Sequence, residues 1–157
     1  MSGFSGEYEC KVDGKGRLMM PTKIVKQLPS GASDRLMLNG GFEKCLTLYA
    51  EEGWKKFELD IATLNDYEPD HRKLIRLLTN GATEVSLDST NRLMIPKRLV
   101  AKAGIKKEVI VIGMFDKIEL WDKATYDAEM AVSLEEKSRL AKKYLGSKSS
   151  DNESNET

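Results

Sequence analysis

Asp13-Gly14-Lys15-Gly16-Arg17-Leu18-Met19-Met20-Pro21 returns as Asp88-Ser89-Thr90-Asn91-Arg92-Leu93-Met94-Ile95-Pro96, 75 residues later. A repeat of this kind governs the fold, because each copy is one supersecondary unit that cannot bury its apolar face alone. The flanks agree. Tyr8, Cys10 and Val12 alternate with polar residues ahead of the first copy, as Val85 and Leu87 do ahead of the second. Downstream, Leu46-Thr47-Leu48-Tyr49 matches Ile118-Glu119-Leu120-Trp121, and Trp54 matches Tyr126, now 72 residues apart. The slip of three residues falls in Pro29 to Asp34, a loop where extra length costs little.

Each copy reads as strand, turn, short strand, helix, strand, turn, strand. The period-2 segments are Tyr8–Val12, Leu36–Leu38 and Leu46–Tyr49, then Val85–Leu87, Val109–Ile112 and Ile118–Trp121. Pro21 and Pro96 suit a first helical turn. Behind them Ile24, Val25 and Leu28 match Leu99, Val100 and Ala103 as one apolar stripe, and Gly104 ends the second helix. Between the copies, Trp54–Leu64 and Asp70–Thr79 read as helices. Pro69 opens the second, Leu74, Ile75 and Leu78 face inward, and Asn80-Gly81 stops it. Tyr126, Met130 and Leu134 extend a last helix to about Leu145, and no apolar residue follows, so the tail is expected to be disordered. The expected organisation is repeat 1 over 7–54, a helical connector over 55–82, repeat 2 over 83–126, a C-terminal helix over 127–145 and a tail over 146–157. A repeat of this size is too small to close a core, so the two copies are expected to interlock into one barrel-like unit.

The 157 residues carry 25 Lys and Arg against 25 Asp and Glu, yet this zero balance is unevenly spread. Residues 11–30 hold five bases and one acid, 92–107 six bases and none, and 108–136 eight acids against two bases. Both basic segments are the turn–strand–helix corner of the repeat. They read either as solvated helix faces or as a phosphate-binding surface on an acidic body. The turn itself has two readings as well. Asp13 and Asp88 start it by accepting from the backbone two residues on, and Gly16 and Asn91 tolerate the left-handed conformation that turns the chain. Arg17 and Arg92 then either pin the loop by pairing with their Asp, or are presented outward to phosphate or guanine.

Other classes are excluded or left unsupported. No apolar run approaches a membrane span, and the N-terminal residues lack the basic and apolar regions of a signal peptide. With one His and no nucleophile, metal, phosphate-loop or dinucleotide motif, an enzyme is not expected, nor is a cofactor. Cys10 and Cys45 lack metal-ligand spacing and suit a reducing cytosol, with Cys10 a small core residue. His71 reads as exposed or capping. Met19, Met20 and Met94 read as barrel filling, and Phe42 and Phe115 as either core or subunit contacts.

The two D-x-x-x-R-L-x-x-P elements, the strand endings at Tyr49 and Trp121 and the helix between the copies resemble the MraZ family, over roughly Glu7 to Leu145. That resemblance implies an α+β, mainly β fold, an AbrB/MazE-like double-split β-barrel made of two tandem SpoVT-AbrB β-α-β repeats, with bridging and C-terminal helices. It implies a homo-oligomeric ring on the nucleoid that binds double-stranded DNA at direct repeats upstream of the division and cell-wall gene cluster. Asp13, Lys15, Gly16 and Arg17 match the family's D-x-K-G-R motif. Asn91 stands where the motif has Gly, so DNA contact carries to Lys15 and Arg17 first, with Arg92, Lys97 and Arg98 as second-repeat candidates. Asp13, Gly16, Asp88 and Asn91 are turn-formers. Two rivals remain: an antitoxin-like AbrB/MazE relative whose main partner is a toxin, and a structural ring protein with no DNA role.

Overall fold

Alternating apolar residues become strands, except that the segment expected over Val85–Leu87 runs as a strand over Thr83–Val85 with Leu87 in a single bridge, and the outer strand of each repeat takes its partner from the other. In a computed structural model, which describes residues 3–146, repeat 1 supplies β1 (Glu7–Lys11), β2 (Arg17–Met19), the one-turn helix α1 (Thr22–Val25), β3 (Leu36–Gly40) and β4 (Leu46–Ala50). The connector holds α2 (Glu51–Ile61) and α3 (Pro69–Thr79). Repeat 2 supplies β5 (Thr83–Val85), β6 (Arg92–Met94), α4 (Lys97–Ala103), β7 (Glu108–Gly113) and β8 (Ile118–Asp122), followed by α5 (Lys123–Glu129) and α6 (Leu134–Tyr144).

Six strands form one antiparallel sheet in the order β1-β7-β8-β4-β3-β5. The order is palindromic in the repeats. β1 leaves its own repeat to pair with β7, and β5 leaves its own to pair with β3. The remaining two strands, β2 and β6, pair antiparallel with each other as a separate ribbon. Single bridges from Val12 to Leu18 and from Leu87 to Leu93 stitch that ribbon to the sheet. The interlocking follows from the apolar pattern. Leu18, Ile24, Leu38 and Leu48 from one repeat and Leu93, Leu99, Val111 and Leu120 from the other lie in a single buried cluster that neither repeat could close alone.

Local details echo the repeat. Tyr49 meets Trp54, and Trp121 meets Tyr126, edge to face at the same 66° interplanar angle. The longer first loop is a 3-10 turn at Ala32–Asp34 preceded by Gly31, where the slip was expected. Pro21 and Pro96 sit one residue earlier than expected. They are N-caps, Pro21 in extended backbone, and the Pro21 carbonyl accepts from the N–H groups of both Ile24 and Val25 at 3.0 Å. His71 is half-buried on α3 and caps no helix; its Nδ1 accepts from the Asn65 N–H in the α2–α3 loop at 2.8 Å. Cys10 is half-buried, and burial pushes its thiol up, which suits a packing residue.

Two helical expectations change. The continuous helix over 127–145 is broken: α5 stops at Glu129 and α6 restarts after Ser133, whose hydroxyl accepts from the Glu136 N–H at 3.1 Å. A local N-cap bond outcompetes the i, i+4, i+8 stripe. On α3, Ile75 and Leu78 are half-buried but Leu74 is exposed, and neither α2 nor α3 buries a residue fully. Residues 3–126 and 127–146 are separate units. Among the described residues no helix is long and apolar enough to cross a membrane. Of the expected disordered tail, 147–157 lie outside the described residues.

Candidate nucleic-acid interface

The repeated turn is closed by its own aspartate. Asp13 Oδ1 accepts from the Lys15 N–H at 2.9 Å and the Arg17 N–H at 3.0 Å, while Oδ2 accepts from Arg17 Nε at 2.8 Å. Asp88 repeats the pattern with the Thr90 N–H at 2.9 Å, the Arg92 N–H at 2.9 Å and Arg92 Nε at 2.9 Å. The Thr90 hydroxyl adds a fourth bond at 2.8 Å. Both turn positions expected to be left-handed are so, with φ of 81° at Gly16 and 61° at Asn91. The ion pairs of the pinning reading are therefore present in both repeats. Each engages only Nε of the guanidinium among the described residues, which leaves the terminal nitrogens for another acceptor.

These bonds hold the carboxylates ionised. The Arg92 N–H first, then the Thr90 hydroxyl and N–H and the Arg92 side chain, outweigh desolvation and lower Asp88 to about 2 from the ordinary 3.8. Asp13 is lowered too, chiefly by the Arg17 N–H. A depressed folded value means the stabilising contribution is complete above the unfolded value and is lost as pH falls through the folded one. The second turn should thus stay closed down to about pH 2. Carboxyl NMR titration is expected to place the Asp88 midpoint there, and a midpoint near 3.8 would mean the turn is open in solution.

Gly16 is needed twice over. Besides its positive φ, a Cβ there would lie 2.8 Å from the Ile95 carbonyl oxygen, which is backbone and cannot swing away. Asn91 already carries a Cβ in the matching place. Gly16→Ala is therefore expected to destabilise by more than the roughly 1–2 kcal/mol of a left-handed residue, whereas Asn91→Gly should be neutral or slightly stabilising. Urea unfolding of the two variants checks the asymmetry.

The two turns lie at opposite ends of the β2–β6 ribbon, whose register sets Arg17 opposite Met94, Leu18 opposite Leu93 and Met19 opposite Arg92. The structure thus brings Arg17 and Arg92 onto one ribbon, with Lys15 exposed on the first turn. Lys97 and Arg98 are exposed on the first turn of α4. Arg98 reaches back toward the α3–β5 turn, its Nη2 lying 3.9 Å from where a Gly81 side chain would begin. Nearby, Lys102 Nζ donates to the Asn80 carbonyl at 2.9 Å.

Sequence reasoning misplaced two residues on this ribbon. Met20 is buried as expected, but Met19 and Met94 are each 51% exposed and fill no barrel. Leu18 and Met20 share the inner face, so strict alternation already placed Met19 outside. Phe42 and Phe115, at 82% and 76% exposed, are not core either. Strand pairing also gathers Glu43, Cys45 and Glu119 within 4.8 Å of one another, which residue spacing had not shown. Glu119 there accepts from the Trp121 indole at 3.1 Å.

A sequence model of the family described as "MraZ protein, putative antitoxin-like" matches residues 4–77 and again 78–144. The chain belongs to the MraZ family. A relative from Cytophaga hutchinsonii, named Transcriptional regulator MraZ, is 39% identical over 92% of this chain and 96% of its own. Relatives of the same name from Christiangramia forsetii and Flavobacterium psychrophilum are 37% and 35% identical, over 93% and 96% of this chain and 95% and 97% of theirs. The MraZ match falls twice on the chain, once on each interlocked repeat. MraZ relatives are named as regulators of transcription, which agrees with the expectation that the chain is not an enzyme.

Proposed function

We propose that this protein is a sequence-specific DNA-binding repressor that acts as a closed oligomer on direct repeats upstream of its own operon, within the division and cell-wall gene cluster. Its place is the cytoplasm, on the nucleoid, with double-stranded DNA and further copies of itself as partners. The observation that carries the reading is the β2–β6 ribbon. It joins two Asp-braced turns, each with an arginine whose terminal nitrogens have no partner among the described residues, and both of its strands lie within the two basic segments. Lys15 and Arg17 are the primary contacts in this reading, with Arg92, Lys97 and Arg98 as the second-repeat contacts. The names of the relatives point the same way.

Oligomerisation is supported by apolar surface that the chain leaves uncovered, notably Leu59, Leu74 and Leu77 on α2 and α3. It is also supported by affinity. One neutral chain offers few phosphate contacts, whereas linked copies reach neighbouring DNA repeats with the help of effective concentration. The antitoxin reading keeps some support from the family's description. It calls for apolar anchors on a C-terminal arm, and residues 146–157 contain none.

The test is a titration of DNA from upstream of the protein's own gene, at several salt concentrations, with light scattering on the same samples. Tight binding over unrelated DNA, a steep salt dependence and a mass several times 17.6 kDa are expected. A mass of 17.6 kDa with no preference for that DNA would overturn the reading.

A further inference from the structure

The outer face of the ribbon alternates cations with methionines that the chain does not cover. Met19 and Met94 are exposed, while the neighbours Leu18, Met20, Leu93 and Ile95 are buried. The register sets Met94 beside Arg17 and Met19 beside Arg92. Hydrogen bonds from the Ile95 N–H to the Gly16 carbonyl at 2.8 Å and from the Met20 N–H to the Asn91 carbonyl at 3.0 Å bracket these pairs. Both are thereby non-hydrogen-bonded pairs, in which facing side chains stand closest. Met94 Sδ lies 3.9 Å from where a Gly16 side chain would begin, so its thioether runs along the turn that carries Arg17.

We propose that Met19 and Met94 are specificity residues in DNA recognition, their thioether ends contacting thymine C5-methyl groups in the major groove next to the positions held by Arg17 and Arg92. This rests on the DNA-binding reading above. The dimensions agree. Three residues per strand span about 10 Å, and the major groove is about 12 Å wide and admits a two-stranded ribbon. The charge agrees as well, since both segments that carry the ribbon are basic and the groove is walled by phosphates. The chemistry narrows the choice. The thymine methyl is the apolar group that base edges present in that groove, and an unbranched, polarizable thioether adapts its end to such a target. A second copy of the same face is the poorer occupant, because it would set Arg17 and Arg92 against like charges.

The experiment begins with selection of tight-binding duplexes from a random pool. Each thymine of the best duplex is then replaced singly by uracil, which pairs identically but lacks the methyl. Affinities are measured for the parent chain and for the double variant Met19→Ala, Met94→Ala, with light scattering to follow assembly. The parent is expected to lose about fourfold at particular thymines, the equivalent of one methyl group's burial. The double variant is expected to assemble normally, bind more weakly and be indifferent to uracil there. Parent binding that ignores every uracil overturns the proposal while leaving DNA binding intact, and that arm needs no variant. Uracil sensitivity that persists in the double variant overturns it too, as does a changed oligomer mass, which would make the methionines subunit contacts. A parent that enriches no duplex at all overturns the DNA-binding reading itself, and this proposal with it.

Discussion

Arg17→Ala is expected to fold and assemble like the parent chain and to lose operator affinity by roughly 1–3 kcal/mol per contacting subunit, if the arginine reads a base. The turn should survive because two of the three bonds to Asp13 come from the backbone N–H groups of Lys15 and residue 17, which alanine retains. Only the Nε bond is lost, and an exposed, solvent-screened pair of this kind contributes little. Should Arg17 meet phosphate alone, the slope of log affinity against log salt is expected to shrink by about 0.9 per contact. Arg92→Ala is expected to matter less, since its turn carries Ser89, Thr90 and Asn91 where the first carries Gly14, Lys15 and Gly16. Titrating both folded variants against operator DNA separates the readings. If Arg17→Ala binds like the parent, the Asp13–Arg17 pair merely pins the loop and the ribbon is the wrong surface.

The largest stability effect is expected at the middle of the same ribbon. Leu18 and Leu93 face each other across the repeats, both 0% exposed, and each also bridges to the sheet, at Val12 and Leu87. Leu18→Ala would leave a cavity in the buried cluster that the two repeats share. The expected cost is about 2–5 kcal/mol, and Leu93→Ala should match it by symmetry. Thermal unfolding followed by circular dichroism should show the midpoint falling by on the order of 10 °C. A loss under about 1 kcal/mol at either position would mean the ribbon is peripheral to the core and that neighbouring side chains close over the gap.

The repeat, the order of elements within it and the turn chemistry were all legible in the residues. Asp13 with Gly16, and Asp88 with Asn91, act within four positions of each other, so their pattern encodes the closed, left-handed turns that the structure contains. The apolar stripes likewise placed Ile24 and Leu99 in the core, because facing inward depends on period alone. Partner choice was beyond such signals. Nothing in the alternation of Tyr8, Cys10 and Val12 says that β1 pairs with β7 rather than with a strand of its own repeat; closing one shared core decides that. The same holds for Glu119, which joins Glu43 and Cys45 only because β4 lies against β8. The break before α6 was local and visible in Ser133 and Glu136, but the Tyr126, Met130 and Leu134 stripe masked it. Met19 and Met94 show the boundary most clearly. Alternation set Met19 on the face away from Leu18 and Met20, and Met94 on the face away from Leu93 and Ile95, yet whether that face met a second layer or open solvent depended on how the two repeats pack, and only the tertiary structure leaves it bare.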